Sequence, residues 1–180
     1  AAPYTNFPTA PVTCAAVGSD DRVWVGTNGG GIAVYDGLYW TQYTQSSTSG
    51  GLASDVVRSI GVDGTEVWVG TDNAGVSRLN TTTGQWTTFN TSNSSLPHNR
   101  VNAIAFAWVG SWPNPSRARF FATDGGLAQQ HWNGTQYVWT VVTTSTGGAS
   151  LLSNKVHDLA HGASGTFWIV TAGGVNKVVD

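Results

Sequence analysis

Val23–Gly31 reads VWVGTNGGG, and Val67–Gly75 reads VWVGTDNAG. Two looser copies follow, FFATDGG at Phe120–Gly126 and FWIVTAGG at Phe167–Gly174. Anchored on the aromatic and the threonine, Trp24/Thr27, Trp68/Thr71, Phe120/Thr123 and Trp168/Thr171 correspond, at intervals of 44, 52 and 48 residues. Self-similarity at roughly 20–50 residues marks a repeat architecture, and about 40–50 suits one four-stranded propeller blade per repeat.

Strand signals fill each period. Ahead of each aromatic runs an apolar stretch: VTCAAV from Val12, VRSIGV from Val57, VNAIAF from Val101 and VHDLAH from Val156. These are the expected innermost strands, and the aromatic phrase is the second. A glycine-rich turn follows, where glycine takes positive φ without steric cost. The third strands are GIAVY, GVSRL, GLAQQ and GVNKV; the fourth begin WTQY at Trp40, WTTF at Trp86 and WTVV at Trp139. No stretch shows convincing helical periodicity. The last repeat ends at Asp180 before any outer strand, but YTNF at Tyr4–Phe7 matches WTQY. The expected fold class is therefore all-β: one domain over 1–180, a four-bladed β-propeller with blades at about 12–43, 57–89, 101–142 and 156–180. The N-terminal strand, residues 4–7, closes the last blade. Trp24, Trp68, Phe120 and Trp168 are the expected wedges between blades. Trp40, Trp86 and Trp139 read either as packing for a neighbouring strand or as stacking platforms for sugar rings.

Composition limits the function. Only 10% of the 180 residues are charged and the net charge is −2. That gives no electrostatic footprint for nucleic acid or an anionic membrane. No apolar run approaches the roughly 18 residues of a spanning helix. The single cysteine, Cys14, excludes a disulfide within the chain and reads as a small core residue. Low charge and abundant Thr, Ser, Asn and Gly point to an extracellular or cell-surface location, the periplasm included. Ala1-Ala2-Pro3 fits the chain left by a signal-peptidase cut. Sequons stand at Asn80, Asn90, Asn93 and Asn133, candidate glycosylation sites if the host glycosylates.

The pattern VWVGTxGGG, then W-T-x-[YF], then a lead-in of the type GLPSNxVRxI resembles the two-component-regulator propeller repeat. Here it runs VWVGTDNAGVSRLNTTTGQWTTFNTSNSSLPHNRVNAI. The resemblance covers almost the whole chain. It implies the propeller fold and an extracytoplasmic sensor-type module that binds glycans or related ligands. This chain has only four repeats and no kinase or DNA-binding region, so the implied signalling role does not carry over.

No catalytic constellation stands out. HDLAH places His157 and His161 about 13 Å apart on a strand, too far for one zinc. No metal and no cofactor are expected. The candidate ligand face comes from topology: the loops leading into the inner strands share one face with the turns after the second strands. The lead-in loops supply Asp55, Asn99, Arg100, Asn154 and Lys155; Arg58, Asn102 and His157 follow just inside the inner strands; the turns add Asn28, Asp72 and Asp124. Rigid scaffolds often present ligands to such loops, although polar loop residues are also simply solvated. Repeat 3 spans 19 residues from Val101 to Phe120 where the others span 11 or 12. The extra segment, AWVGSWPNPSRARF, makes Trp108, Trp112, Arg117 and Arg119 a candidate contact loop. These features lead to a non-catalytic binding module with a glycan or protein ligand. The alternative is a structural subunit of a surface layer or filament, built from copies of itself, with the N-terminal strand reaching another molecule.

Overall fold

In a computed structural model describing residues 7–110, 115–146, 150–162 and 166–179, the repeated phrase makes the same element four times. The strands are β2 (Val23–Thr27), β6 (Glu66–Thr71), β10 (Ser116–Thr123) and β14 (Thr166–Thr171), each ending on its threonine. The hydroxyl of that threonine closes the turn that follows. Thr27 Oγ1 donates to the Gly31 carbonyl at 2.8 Å and accepts from the Gly30 N–H at 3.0 Å. Thr71 does the same with Gly75 and Ala74, Thr123 with Gly126 and Gly125, and Thr171 with Gly174 and Gly173. Three of these threonines are fully buried and Thr171 nearly so. A buried hydroxyl without partners costs roughly 1–3 kcal/mol, and this turn supplies both a donor and an acceptor. The glycines whose carbonyls accept have φ of 71°, 85°, 140° and 133°. At Gly31 a Cβ would also run into the Tyr43 carbonyl. The threonine and the glycine are thus one device.

The chain divides into two compact units, Ala1–Phe89 and Asn90–Asp180. The first holds two antiparallel four-stranded sheets, each in chain order. One is β1 (Val12–Val17), β2, β3 (Ile32–Tyr35) and β4 (Trp40–Tyr43); the other is β5 (Val57–Asp63), β6, β7 (Val76–Asn80) and β8 (Trp86–Phe89). The second unit holds β9 (Val101–Val109), β10, β11 (Gly126–Trp132) and β12 (Tyr137–Val142), then a three-stranded sheet of β13 (Val156–His161), β14 and β15 (Gly174–Val179). These four sheets are the blades of an all-β, four-bladed propeller, and no helix occurs among the described residues.

Each unit packs one sheet face on another by the period-two alternation of its strands. In the first unit Trp24, Ile32 and Val34 of one sheet meet Val67, Val69 and Leu79 of the next, with Cys14 at the edge. Burial raises the Cys14 thiol above its ordinary pKa. In the second unit Phe120, Ala122 and Leu127 meet Phe167 and Ile169. A leucine from each lead-in loop is buried: Leu52, Leu96 and Leu151 are 0, 3 and 5% exposed, Leu52 in the first core and Leu151 in the second. The outer-strand tryptophans pack locally. Trp40 lies 5.2 Å from Tyr35, Trp86 6.1 Å from Tyr43 and Trp139 5.5 Å from Phe121.

Two expectations need correction. Trp168 is not buried as a wedge would be: Trp24, Trp68 and Phe120 are 2, 0 and 9% exposed, but Trp168 is 41% exposed. The insertion of repeat 3 is not a loop either, since β9 and β10 simply run on, with Trp108 paired to Arg117 and Phe106 to Arg119. Trp112 lies outside the described residues, as does the expected closing strand except for Phe7. Phe7 is in no strand; its ring stands edge-on to Trp40 at 4.8 Å.

Candidate functional site

All four inner strands carry a β-bulge at the same step. The register jumps between Val12 and Cys14, Val57 and Ser59, Val101 and Ala103, and Val156 and Asp158. The extra residues are Thr13, Arg58, Asn102 and His157. A bulge leaves its residue out of the ladder and re-aims the side chain, which is why bulges gather beside functional sites. A valine precedes each bulge, while the bulge residue itself is a different polar type in every blade.

Two of the bulge side chains, Arg58 and Asn102, reach the turns closed by the threonines. In the first unit Arg58 pairs with Asp72 at 3.1 Å, both side chains 37% exposed. Thr13 Oγ1 donates to the Val57 carbonyl at 2.7 Å. With Asn28, Val56 and Val57 these groups line a cleft of about 460 Å³. In the second unit Asn102 Nδ2 donates to Asp124 Oδ1 at 2.8 Å and to the Val156 carbonyl at 2.7 Å. Arg100 approaches Asp124 at 3.8 Å. Burial pushes the Asp124 carboxyl up, but the Asn102 amide and the charges of Lys155, Arg100 and His98 together hold it below the ordinary carboxylate range. Asp124 is therefore an ionised acceptor at neutral pH. Lys155 and His157 are exposed.

Asp55, Asn99 and Asn154 have a different occupation. Asp55 Oδ1 accepts from the Gln45 N–H at 2.6 Å, Asn99 Oδ1 from Thr91 at 2.9 Å and Asn154 Oδ1 from Thr144 at 2.7 Å. The three positions are equivalent, and each ties the lead-in loop to the chain leaving the previous outer strand. The candidate residues thus separate into loop ties (Asp55, Asn99, Asn154) and a bulge set (Arg58, Asn102 and His157, with Arg100 and Lys155 beside them). The sequence reading passed over the bulges themselves. A signal was present, since Thr13, Arg58, Asn102 and His157 each follow the valine that opens the inner strand.

The remaining candidates also have defined surroundings. Arg117 lies over Phe106 and Trp108 at 5.8 and 5.7 Å, and Trp108 is 62% exposed. Arg119 is 6% exposed and lies 4.8 Å over Tyr137, so it is an internal brace and not a contact residue. Of the sequon asparagines, Asn80, Asn90 and Asn133 each accept from the N–H two residues on, as Asx turns do, and Asn93 accepts from Asn90. Among the described residues no group of three His, Cys, Asp or Glu is placed to hold a metal ion, and no helix is long and apolar enough to cross a membrane.

Residues 6–29 match the family model for the two component regulator propeller. No curated protein matches the chain. Among solved structures it is similar to the β-propeller domain of Cps50 (Swd1) from Myceliophteria thermophila, at 12% identity and a TM-score of 0.60, over 96% of this chain and 53% of that one. The computationally designed Ika4 protein aligns at 16% identity and 0.57, over 97% of this chain and 94% of its own. The extracellular domain of the hybrid two component system BT3049 from B. thetaiotaomicron aligns at 16% and 0.52, over 95% of this chain. This chain spans only 29% of that domain. The chain is a β-propeller in which residues 6–29 match the two component regulator propeller repeat.

Proposed function

We propose that the protein is a non-catalytic, extracytoplasmic binding module whose glycan or protein ligand contacts the bulge residues. The observation that carries this reading is the set of four equivalent bulges bearing four different polar side chains. A backbone feature that recurs in every blade and presents Thr13, Arg58, Asn102 and His157 in turn is suited to reading a ligand. The paired charges of Arg58–Asp72 and Arg100–Asp124, with the arginine side chains 37 and 36% exposed, offer donors and acceptors without rearrangement. Asp124, ionised at neutral pH, is suited to accepting hydrogen bonds and unsuited to acting as an acid. The location reading draws on composition and on BT3049, whose similar region is an extracellular domain. A paired glycan-array and protein-capture screen tests the proposal. The ligand it identifies binds the wild type and is lost by the combined Arg58→Ala, Arg100→Ala, Lys155→Ala and His157→Ala variant. Binding retained by that variant removes the bulge face as the site.

A second reading, assembly from copies of this chain, is favoured by one observation. The β13–β15 face bearing Trp168, Val170 and Val175 is 41, 37 and 54% exposed at those residues. Equivalent faces bearing Trp24 and Phe120 are covered by a sheet presenting Val67 and Val69, or Phe167 and Ile169. The matching occupant is such a sheet face from a second copy. Concentration-dependent sedimentation that Trp168→Lys abolishes supports assembly; a monomer at every concentration opposes it.

A further inference from the structure

The overhang of the third blade forms a cleft that the bulge-face reading does not use. In the other blades the first hairpin turns at Val17/Val23, Asp63/Glu66 and His161/Phe167. Here β9 and β10 continue to Val109 and Ser116. The ladder between β10 and β11 stops at Arg119↔Gln130, while β11 goes on to pair with β12 as far as Trp132↔Tyr137. Two hairpins therefore share a sheet up to that point and then part, like the tines of a fork. A cleft of about 800 Å³ opens there, lined by Val109 and Ser116 on one tine and by His131, Trp132 and Asn133 on the other, with Gln129 at its base.

The fork is braced. On one tine Arg117 lies over Phe106 and Trp108. From β10, Arg119 crosses to lie over Tyr137, and Tyr137 meets Trp132 edge-on at 5.2 Å. Asn133 Oδ1 accepts from the N–H and hydroxyl of Thr135 and from the Gln136 N–H, each at 3.0 Å, which holds the tip of the second tine. A cleft held in shape before a ligand arrives avoids the ordering cost of binding.

Two features of the lining identify the chemistry. The first is an unfinished hydrogen bond: His131 Nδ1 is buried and has no partner. A buried ring nitrogen left this way is costly, and it marks the His131 wall of the cleft as a place where a hydrogen-bonding partner is missing. The second is the character of the walls. Among the described residues they carry the amides of Gln129 and Asn133, an imidazole, a hydroxyl and the indole of Trp132, 44% exposed, but no acidic side chain, lysine or arginine. Uncharged hydrogen-bonding groups beside an exposed aromatic face match a neutral ring with hydroxyls at its edge and C–H groups on its face. The volume lies within the range of small-ligand sites, roughly 300–1,000 Å³.

We propose that this fork is a second ligand site, independent of the bulge face, and that it binds a neutral pyranose sugar. Titration of the ¹⁵N-labelled protein with maltose, cellobiose and N,N′-diacetylchitobiose at millimolar concentration tests it. At least one sugar is expected to shift the backbone amides of Gln129–Gly134 and the Trp132 indole N–H. Trp132→Ala and Gln129→Ala are each expected to weaken that binding about tenfold, with the rest of the spectrum unchanged. Arg58→Ala, on the bulge face, is expected to leave it intact. Absence of shifts with all three sugars, shifts confined to other residues, or undiminished binding in both fork variants overturns the proposal.

Discussion

Trp68 and Trp168 occupy the same place in the repeat, yet their surroundings differ completely. Trp68 is fully buried, stacks on Phe89 at 5.7 Å, donates to Glu66 Oε2 at 3.1 Å and has Arg78 above its ring. Trp168 is 41% exposed beside Lys177, 5.4 Å from its ring. A repeat therefore writes the position of a residue, whereas its energetic role depends on what is packed around it. The largest expected effect follows. Trp68→Ala lowers stability by about 3–5 kcal/mol, on the scale of large-to-small core changes, whereas Trp168→Ala in dilute solution costs under about 0.5 kcal/mol, as at an open surface. Urea unfolding of both variants measures the contrast, and equal losses would break it.

The turn threonines sharpen the comparison, because Thr71 and Thr171 make the same two bonds in a well-covered and a poorly covered blade. Thr71→Val keeps the shape but strands the Ala74 N–H and leaves the Gly75 carbonyl only the backbone N–H of residue 71, an expected loss of about 1–3 kcal/mol. Thr171→Val is expected to cost less, since the β13–β15 blade admits more water. Equal unfolding midpoints for the two variants would contradict this.

A smaller effect separates the bulge neighbourhoods by pH. Asp124 has a depressed folded-state pKa, so its stabilisation is complete above the unfolded value, about 3.9, and is lost as pH falls through the folded value. The stability gap between wild type and Asp124→Asn is expected to close below about pH 4. A gap unchanged from neutral pH into acid would show that the carboxylate charge is not what Asn102, Lys155, Arg100 and His98 hold.

The fold was legible because strands, turns and their spacing are local. VWVGT followed by a glycine pair announces a strand and a positive-φ turn wherever it occurs. The bulges were not legible for the opposite reason. An extra residue at Arg58 or Asn102 is extra only relative to the partner strand, and the adjacent polar pair Arg58-Ser59 in VRSIGV does not by itself say which residue leaves the ladder. Asp55, Asn99 and Asn154 were legible as polar loop residues but not as ties, since the same letter serves a backbone N–H or water. The hairpin of repeat 3 was hidden by Gly110, Pro113 and Pro115, although SRARF alternates polar and apolar as a strand does. Its fork required knowing where β10 and β11 stop pairing.

The division of the candidate face into loop ties and a bulge set is the central claim, and it needs no ligand to test. Two variants are unfolded side by side in urea: Asp55→Ala with Asn99→Ala and Asn154→Ala, and Arg58→Ala with Arg100→Ala and Lys155→Ala. Each tie removes an acceptor from a backbone N–H, so the first variant is expected to lose about 2–4 kcal/mol in total, near 1 per bond. The second removes exposed and half-exposed charges and is expected to stay within about 1 kcal/mol of wild type. If the second variant loses as much stability as the first, the bulge set holds the fold together as the ties do, and its assignment to ligand binding is wrong.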